Sequence, residues 1–166
     1  AEARARNADP RIRYEVCGIA EYSYPAGYYD LVVSNLALHY LADLDDIYRK
    51  VFSTLRPGGV FLFNIEHPVF TAGVREDWVR DAEGRPVCWP VDNYYYPGER
   101  TTLFLGQEVK KQHHTLTQIL MGLIRCGFVL EAVEEAMPDP SMLDLPGMAD
   151  EMRRPMMLLV KARKPV

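Results

Sequence analysis

The stretch from Asp30 to Asn64 constrains the fold of this chain more than any other. Tyr29-Asp30-Leu31-Val32-Val33-Ser34-Asn35 is a short apolar run rich in β-branched residues, with Gly27 before it and polar Ser34-Asn35 closing it. That is the pattern of a strand buried on both faces. Asp43 is placed to cap a helix whose apolar residues fall at Leu44, Ile47, Tyr48, Val51, Phe52 and Leu55, a continuous stripe at helical spacing. Asp43, Asp45 and Asp46 stand in its first turn, where the helix dipole favours negative charge. Pro57-Gly58-Gly59 ends the helix, and Val60-Phe61-Leu62-Phe63-Asn64-Ile65 is a second apolar strand. A right-handed β-α-β crossover is the common way to join such elements. The fold class is α/β.

Composition narrows the function classes. At 166 residues the chain fits one domain with a sizeable core. A net charge of −4 leaves no electrostatic footprint for nucleic acid or an anionic membrane. Cys17, Cys88 and Cys126 are odd in number, far apart and without a C-x-x-C pair, so neither a disulfide framework nor a metal site is expected, and a reducing cytoplasm fits. The longest apolar runs are strand-sized and no signal peptide is visible, so a cytoplasmic protein is expected.

Two segments carry a resemblance: Asp30-Leu31-Val32-Val33-Ser34-Asn35-Leu36-Ala37-Leu38-His39-Tyr40-Leu41, and Leu55-Arg56-Pro57-Gly58-Gly59-Val60-Phe61-Leu62. In order, spacing and composition they resemble the fourth and fifth strands of class I S-adenosylmethionine-dependent methyltransferases, whose sheet runs 3-2-1-4-5-7-6. On that pattern Ala1 to Arg6 is the helix after the second strand and Ile12 to Cys17 is the third strand. The first strand, its glycine-rich loop and the second strand are absent, and no G-x-G-x-x-G occurs in these residues. The expectation is a Rossmann-like methyltransferase sheet, truncated at its N-terminal side, spanning 1–166, with 66–114 inserted as a β-hairpin cap. The loss of two strands would bare an apolar edge of the fourth. Three explanations stay open: a fragment of a longer protein, a second copy covering the edge as a homodimer, or a rearranged fold.

The resemblance also names cofactor residues. Gly18, Ile19 and Ala20 follow the third strand, where the family places an Asp against the adenine amino group; here that position is Gly18, and Ile19 keeps the apolar contact. Ser34, Asn35 and Leu36 would line the pocket near the methionine portion of S-adenosylmethionine. Asp30 would be structural.

Candidates for chemistry lie at the carboxyl ends of strands, where open α/β sheets bind ligands. His39 and Tyr40 follow one strand and Glu66-His67 the other. A histidine there can orient a substrate hydroxyl or take its proton, with a packed structural histidine as the alternative. Thr71 to Gln112 is too long for an ordinary connection. Pro86 to Tyr96 and Thr101 to Val109 read as two strands joined at Pro97-Gly98-Glu99. Trp78, Trp89, Tyr94, Tyr95 and Tyr96 would form an aromatic wall for a small organic substrate or, equally, a dimer interface. His113 and His114 precede a helix with Thr115 and Gln118 in capping-box register, apolar residues at Leu116, Ile119, Leu120, Leu123 and Ile124, and Gly127 at its end. No carboxylate or cysteine stands at ligand spacing from the pair, so no metal is expected.

The resulting expectation is methyl transfer from S-adenosylmethionine to an O, N or C nucleophile of a small molecule. His39, His67 and His113 are the catalytic candidates, and Tyr40, Tyr95 and His114 the substrate contacts. The alternative is a non-catalytic scaffold that has lost cofactor binding, which Gly18 and the missing glycine loop support. A nicotinamide-dependent oxidoreductase fits the motifs less well.

Overall fold

The computed structural model describes residues 2–73, 76–104 and 106–166. In chain order, α1 (Glu2–Arg6) leads through an irregular arm to β1 (Tyr29–Asn35), a 3-10 turn (Leu38–Tyr40), α2 (Leu44–Thr54) and β2 (Leu55–Glu66). Then come α3 (Pro68–Thr71), β3 (Val79–Arg80), β4 (Pro86–Cys88), β5 (Gly98–Phe104) and β6 (Gln107–His113). The chain closes with α4 (Leu116–Cys126), β7 (Val129–Ala136), α5 (Met148–Glu151) and β8 (Met157–Arg163). One four-stranded sheet runs β1-β2-β8-β7. β1 and β2 are parallel, and β8 is antiparallel to both its neighbours. This is the 4-5-7-6 half of the expected order.

The local reasons are those the sequence announces. Asp43 accepts from the Asp46 N–H and starts α2, and the stripe Leu44, Ile47, Tyr48 and Val51 is buried against the sheet. Thr115 and Gln118 form a full capping box at α4, and Gly127 ends it in the left-handed region at φ 105°. Tyr48 and Leu123 meet Phe61, Phe63, Leu158 and Val160 in one core cluster. Each such side chain contributes roughly 1.5–3 kcal/mol by burial. Asp30 pairs with Arg56 at 2.8 Å, tying the amino end of β1 to the bend before the main run of β2.

Four expectations need correction. Residues 12–17 form no strand; the arm from Asn7 to Tyr28 is irregular. β1 is an edge strand rather than one buried on both faces, with Leu31 and Val33 more than half exposed, because no described strand pairs with its outer side. The run from Pro86 to Tyr96 is strand only at Pro86–Cys88, where it pairs with β3. The hairpin is instead β5 with β6, Gly98 lying opposite His113 and Phe104 opposite Gln107. Gly98 therefore begins a strand and does not sit at its turn; Leu105 of the expected second strand lies outside the described residues. No helix among the described residues is long and apolar enough to cross a membrane.

Candidate functional site

β1 and β2 run in register, so Asn35 and Asn64 end them side by side, joined by a 3.2 Å bond from Asn64 Nδ2 to Asn35 Oδ1. Leu36 then turns away with φ 52°, its N–H donating to Asn64 O at 2.9 Å. Ser34 Oγ and Asn64 Oδ1 are buried here without a hydrogen-bond partner. The chain enters the 3-10 turn and buries His39, while Tyr40 stays half exposed with its ring 4.4 Å from that of His39.

Over these strand ends lies a polar layer. Thr54 apart, every buried polar side chain among the described residues belongs to segments at the carboxyl ends of β1 and β2, to the cap, or to the turn leading into β8. Glu66 ends β2 and His67 caps α3, its Nδ1 accepting from the Val69 N–H at 3.1 Å. His67 Nε2 lies 2.9 Å from Glu135 Oε1, off the line of a hydrogen bond. His39 Nδ1 accepts a long 3.4 Å bond from the Glu66 N–H, and its Nε2 faces Glu66 Oε1 at 3.9 Å. Burial, with the Lys111 ammonium near, pushes the His39 pKa down to about 4. The ring is therefore neutral near pH 7.

The other two histidines are ties. His113 is fully buried; Nε2 donates to Tyr94 O at 2.9 Å and Nδ1 meets Thr71 Oγ1 at 2.7 Å. Neither nitrogen is open to a substrate, so the geometry gives His113 the task of holding residue 94 and α3 together. His114 Nε2 donates to Leu41 O at 2.8 Å and fixes the loop after the 3-10 turn. Burial lowers the pKa of His67, His113 and His114 alike. Tyr95 points into solvent at 84% exposure, whereas Tyr94 is drawn in, its hydroxyl accepting from the Leu116 N–H.

On the arm, Ile19 packs on the core, Ala20 O accepts from Lys50 Nζ at 3.0 Å, and Gly18 O closes a turn by accepting the N–H groups of Glu21 and Tyr22. Sequence reasoning missed Glu21. Its carboxylate lies over Gly18, where an added Cβ would stand 3.1 Å from Oε2. The signal was an acid three residues after a glycine, at the closing position of a turn. Reasoning from spacing also missed Lys111 and Glu76, which complete an ion cluster with Glu66. Among the described residues no three His, Cys, Asp or Glu side chains gather as a metal site.

A methyltransferase domain model matches residues 1–63. A structure described as that of an S-adenosylmethionine-dependent methyltransferase from Listeria monocytogenes superposes at TM-score 0.94 with 44% identity, over 99% of this chain and 74% of that one. One from Mesorhizobium loti, described in the same way, superposes at TM-score 0.85 with 43% identity, over 98% of this chain and 75% of that one. An uncharacterized protein of Haemophilus influenzae is 28% identical over 145 residues, 84% of this chain, and the chain spans 56% of its length. The two-strand motif, the sheet order and these likenesses agree, and the chain belongs to the S-adenosylmethionine-dependent methyltransferases.

Proposed function

We propose that these residues form the acceptor side of an enzyme that methylates an oxygen, nitrogen or carbon atom of a small molecule. One observation carries the reading: Ser34 Oγ and Asn64 Oδ1 are buried and unpartnered at the carboxyl ends of adjacent parallel strands. Such atoms cost about 1–3 kcal/mol each, and this is the place where open α/β sheets receive ligands. Their polar, partnerless character fits the methionine end of S-adenosylmethionine, with Ser34, Asn35 and Leu36 as the wall that would hold it. Gly18, Ile19 and Ala20 would face the adenine, and Glu21 supplies the carboxylate that Gly18 lacks.

When bound, S-adenosylmethionine supplies an electrophilic methyl group. The chain's own part is then mostly positioning. Residues 66–114 act as the cap that excludes water. His39, neutral near pH 7 and with Nδ1 accepting the Glu66 N–H, carries its proton on Nε2 and can orient an acceptor group by donating from that nitrogen. His67 follows Glu66 and faces Glu135, and Tyr40 offers a half-exposed ring beside the His39 imidazole.

Calorimetric titration with S-adenosylhomocysteine tests the reading. Binding that Ser34→Ala and Asn35→Ala weaken, together with methyl transfer that His39→Asn slows, is the expected result. Binding unaffected by either strand-end variant would overturn the assignment of the wall. Gly18, in the place of an acid, favours a second reading, a scaffold without cofactor; a titration with no heat at all would support it. The outer edge of β1 is read as a pairing edge, for a further strand of the same protein or for a second copy, and light scattering separates the two.

A further inference from the structure

Glu66 is the last residue of β2, and Glu76 follows α3 five residues after Thr71. Lys111 of β6 reaches between them, with Nζ 2.6 Å from Glu66 Oε1 and 2.9 Å from Glu76 Oε2. The three side chains are 2%, 9% and 7% exposed for Lys111, Glu66 and Glu76. Thr102 Oγ1 donates to Glu76 Oε2 at 3.1 Å, and the Phe70 ring lies 5.9 Å from Nζ. One oxygen of each carboxylate is thereby satisfied. The other two, Glu66 Oε2 and Glu76 Oε1, are buried without any hydrogen-bond partner.

A clamp holding the hairpin to the sheet needs one carboxylate for one ammonium. Here two carboxylates share it, and each keeps an oxygen with no donor, a costly arrangement in a dry site. Among the described residues, the other basic groups nearby add no free positive charge. His39 is neutral, and Arg154, which also lies over Phe70, is matched by both oxygens of Glu151. The excess is negative, at the end of β2 just before His67 and next to the Phe70–Trp89 stack, whose centroids are 5.0 Å apart.

We propose that Glu66 and Glu76 form an anionic recognition site in the acceptor pocket, which selects a small molecule presenting a protonated amine over one presenting a carboxylate. The two unpartnered oxygens accept hydrogen bonds from the ammonium, and Phe70 and Trp89 lie beside the carbon skeleton. The proposal rests on the reading of residues 66–114 as an acceptor cap.

The test uses two probes of one shape and opposite charge, benzylamine and benzoate, titrated into the isotope-labelled chain by amide NMR. The expected result is benzylamine binding at least about tenfold tighter than benzoate, since like charge is strongly disfavoured at such a site. Its shifts should centre on Glu66, Glu76 and Thr102. Glu66→Gln and Glu76→Gln should each reduce that ratio, and Glu76→Gln serves alone if the strand-end variant does not fold. Equal or tighter binding of benzoate, a ratio unchanged in the folded variants, or no binding of either probe would overturn the proposal. Titration with S-adenosylhomocysteine is run in parallel. Its failure with the amine preference intact removes only the methyl-transfer reading; its success without the preference removes only the amine site.

Discussion

Lys111 Nζ and Glu66 Oε1 stand 2.6 Å apart although 45 positions separate them in the chain, and this contact fastens the cap hairpin to the central strand pair. Removing the ammonium leaves two buried carboxylates facing each other. Lys111→Met should therefore lower stability by about 3–5 kcal/mol, the usual cost of stripping one partner from a buried pair. Urea denaturation reads it directly. Adding Glu66→Gln and Glu76→Gln to the Met variant should recover part of the loss. No recovery would mean that packing of the lysine stem, rather than charge, holds the hairpin.

The acid response follows from His39, whose pKa falls from the ordinary 6.5 to about 4 through burial and the nearby Lys111 charge. Between those values the folded state binds fewer protons than the unfolded chain, so stability rises with pH across the window. The contribution, at most ~3 kcal/mol, is complete above the unfolded value and is lost as pH falls towards about 4. His67, His113 and His114 shift in the same direction. Glu66 and Glu76 oppose them: burial raises their pKa, so folding favours their protonated forms and softens the acid loss. The unfolding midpoint in urea should drop between pH 7 and pH 5, and His39→Asn should flatten that slope. A slope identical in the variant would place the acid sensitivity elsewhere.

Much of the fold was legible because its signals are local. Asp43, Thr115 with Gln118, and Gly127 act on backbone groups within four residues, and each does what its position dictates. The hairpin was misplaced because strand propensity in residues 86–96 is outweighed by distant contacts. Trp89 is held by Val69 O through its indole N–H and by Arg154 over its ring, and Arg153 takes the carbonyls of Pro86 and Val87. At the site, spacing places His39 and His67 just after β1 and β2 but does not reveal the separate contacts that each histidine makes. Lys111 was invisible for a physical reason. In Lys110-Lys111-Gln112 nothing local marks the second lysine for burial, and only the approach of Glu66 and Glu76 makes it tolerable.

Arg154 offers a test of how the turn before β8 is anchored. Its two Nη atoms donate to Glu151 at 2.8 and 3.0 Å while the guanidinium carbon lies 4.3 Å from the Trp89 centroid and 4.9 Å from that of Phe70. Lysine keeps the charge but loses both the planar fork and the stacking. Arg154→Lys should cost about 1–2 kcal/mol and weaken the near-ultraviolet circular dichroism of the tryptophans. An unchanged aromatic spectrum would show that Trp78 and Trp89 are ordered by each other, 5.4 Å apart and edge to face, without the cation.

Gly122 sets the distance between α4 and α2. An added Cβ would stand 2.7 Å from Asp45 Oδ1 and 2.9 Å from Tyr48 Cε2. Helix propensity alone favours alanine over glycine by ~1 kcal/mol, whereas overpacking a core contact costs about 1–3 kcal/mol. The balance turns on which neighbour can yield. Asp45 is half exposed, pairs with Arg125 at 3.6 Å, and can swing aside. Tyr48 cannot: it is fully buried between Phe61 and Phe63. Gly122→Ala should therefore destabilise by about 1 kcal/mol, with the overpacking term winning, and Asp45→Ala should not relieve the loss. Tyr48→Phe isolates the ring from its hydroxyl, which is buried without a partner. It should raise the stability of the parent by up to ~1 kcal/mol while leaving the cost of Gly122→Ala in place. If that cost vanished in the Tyr48→Phe background, the hydroxyl rather than the ring would be what pins Tyr48 against α4.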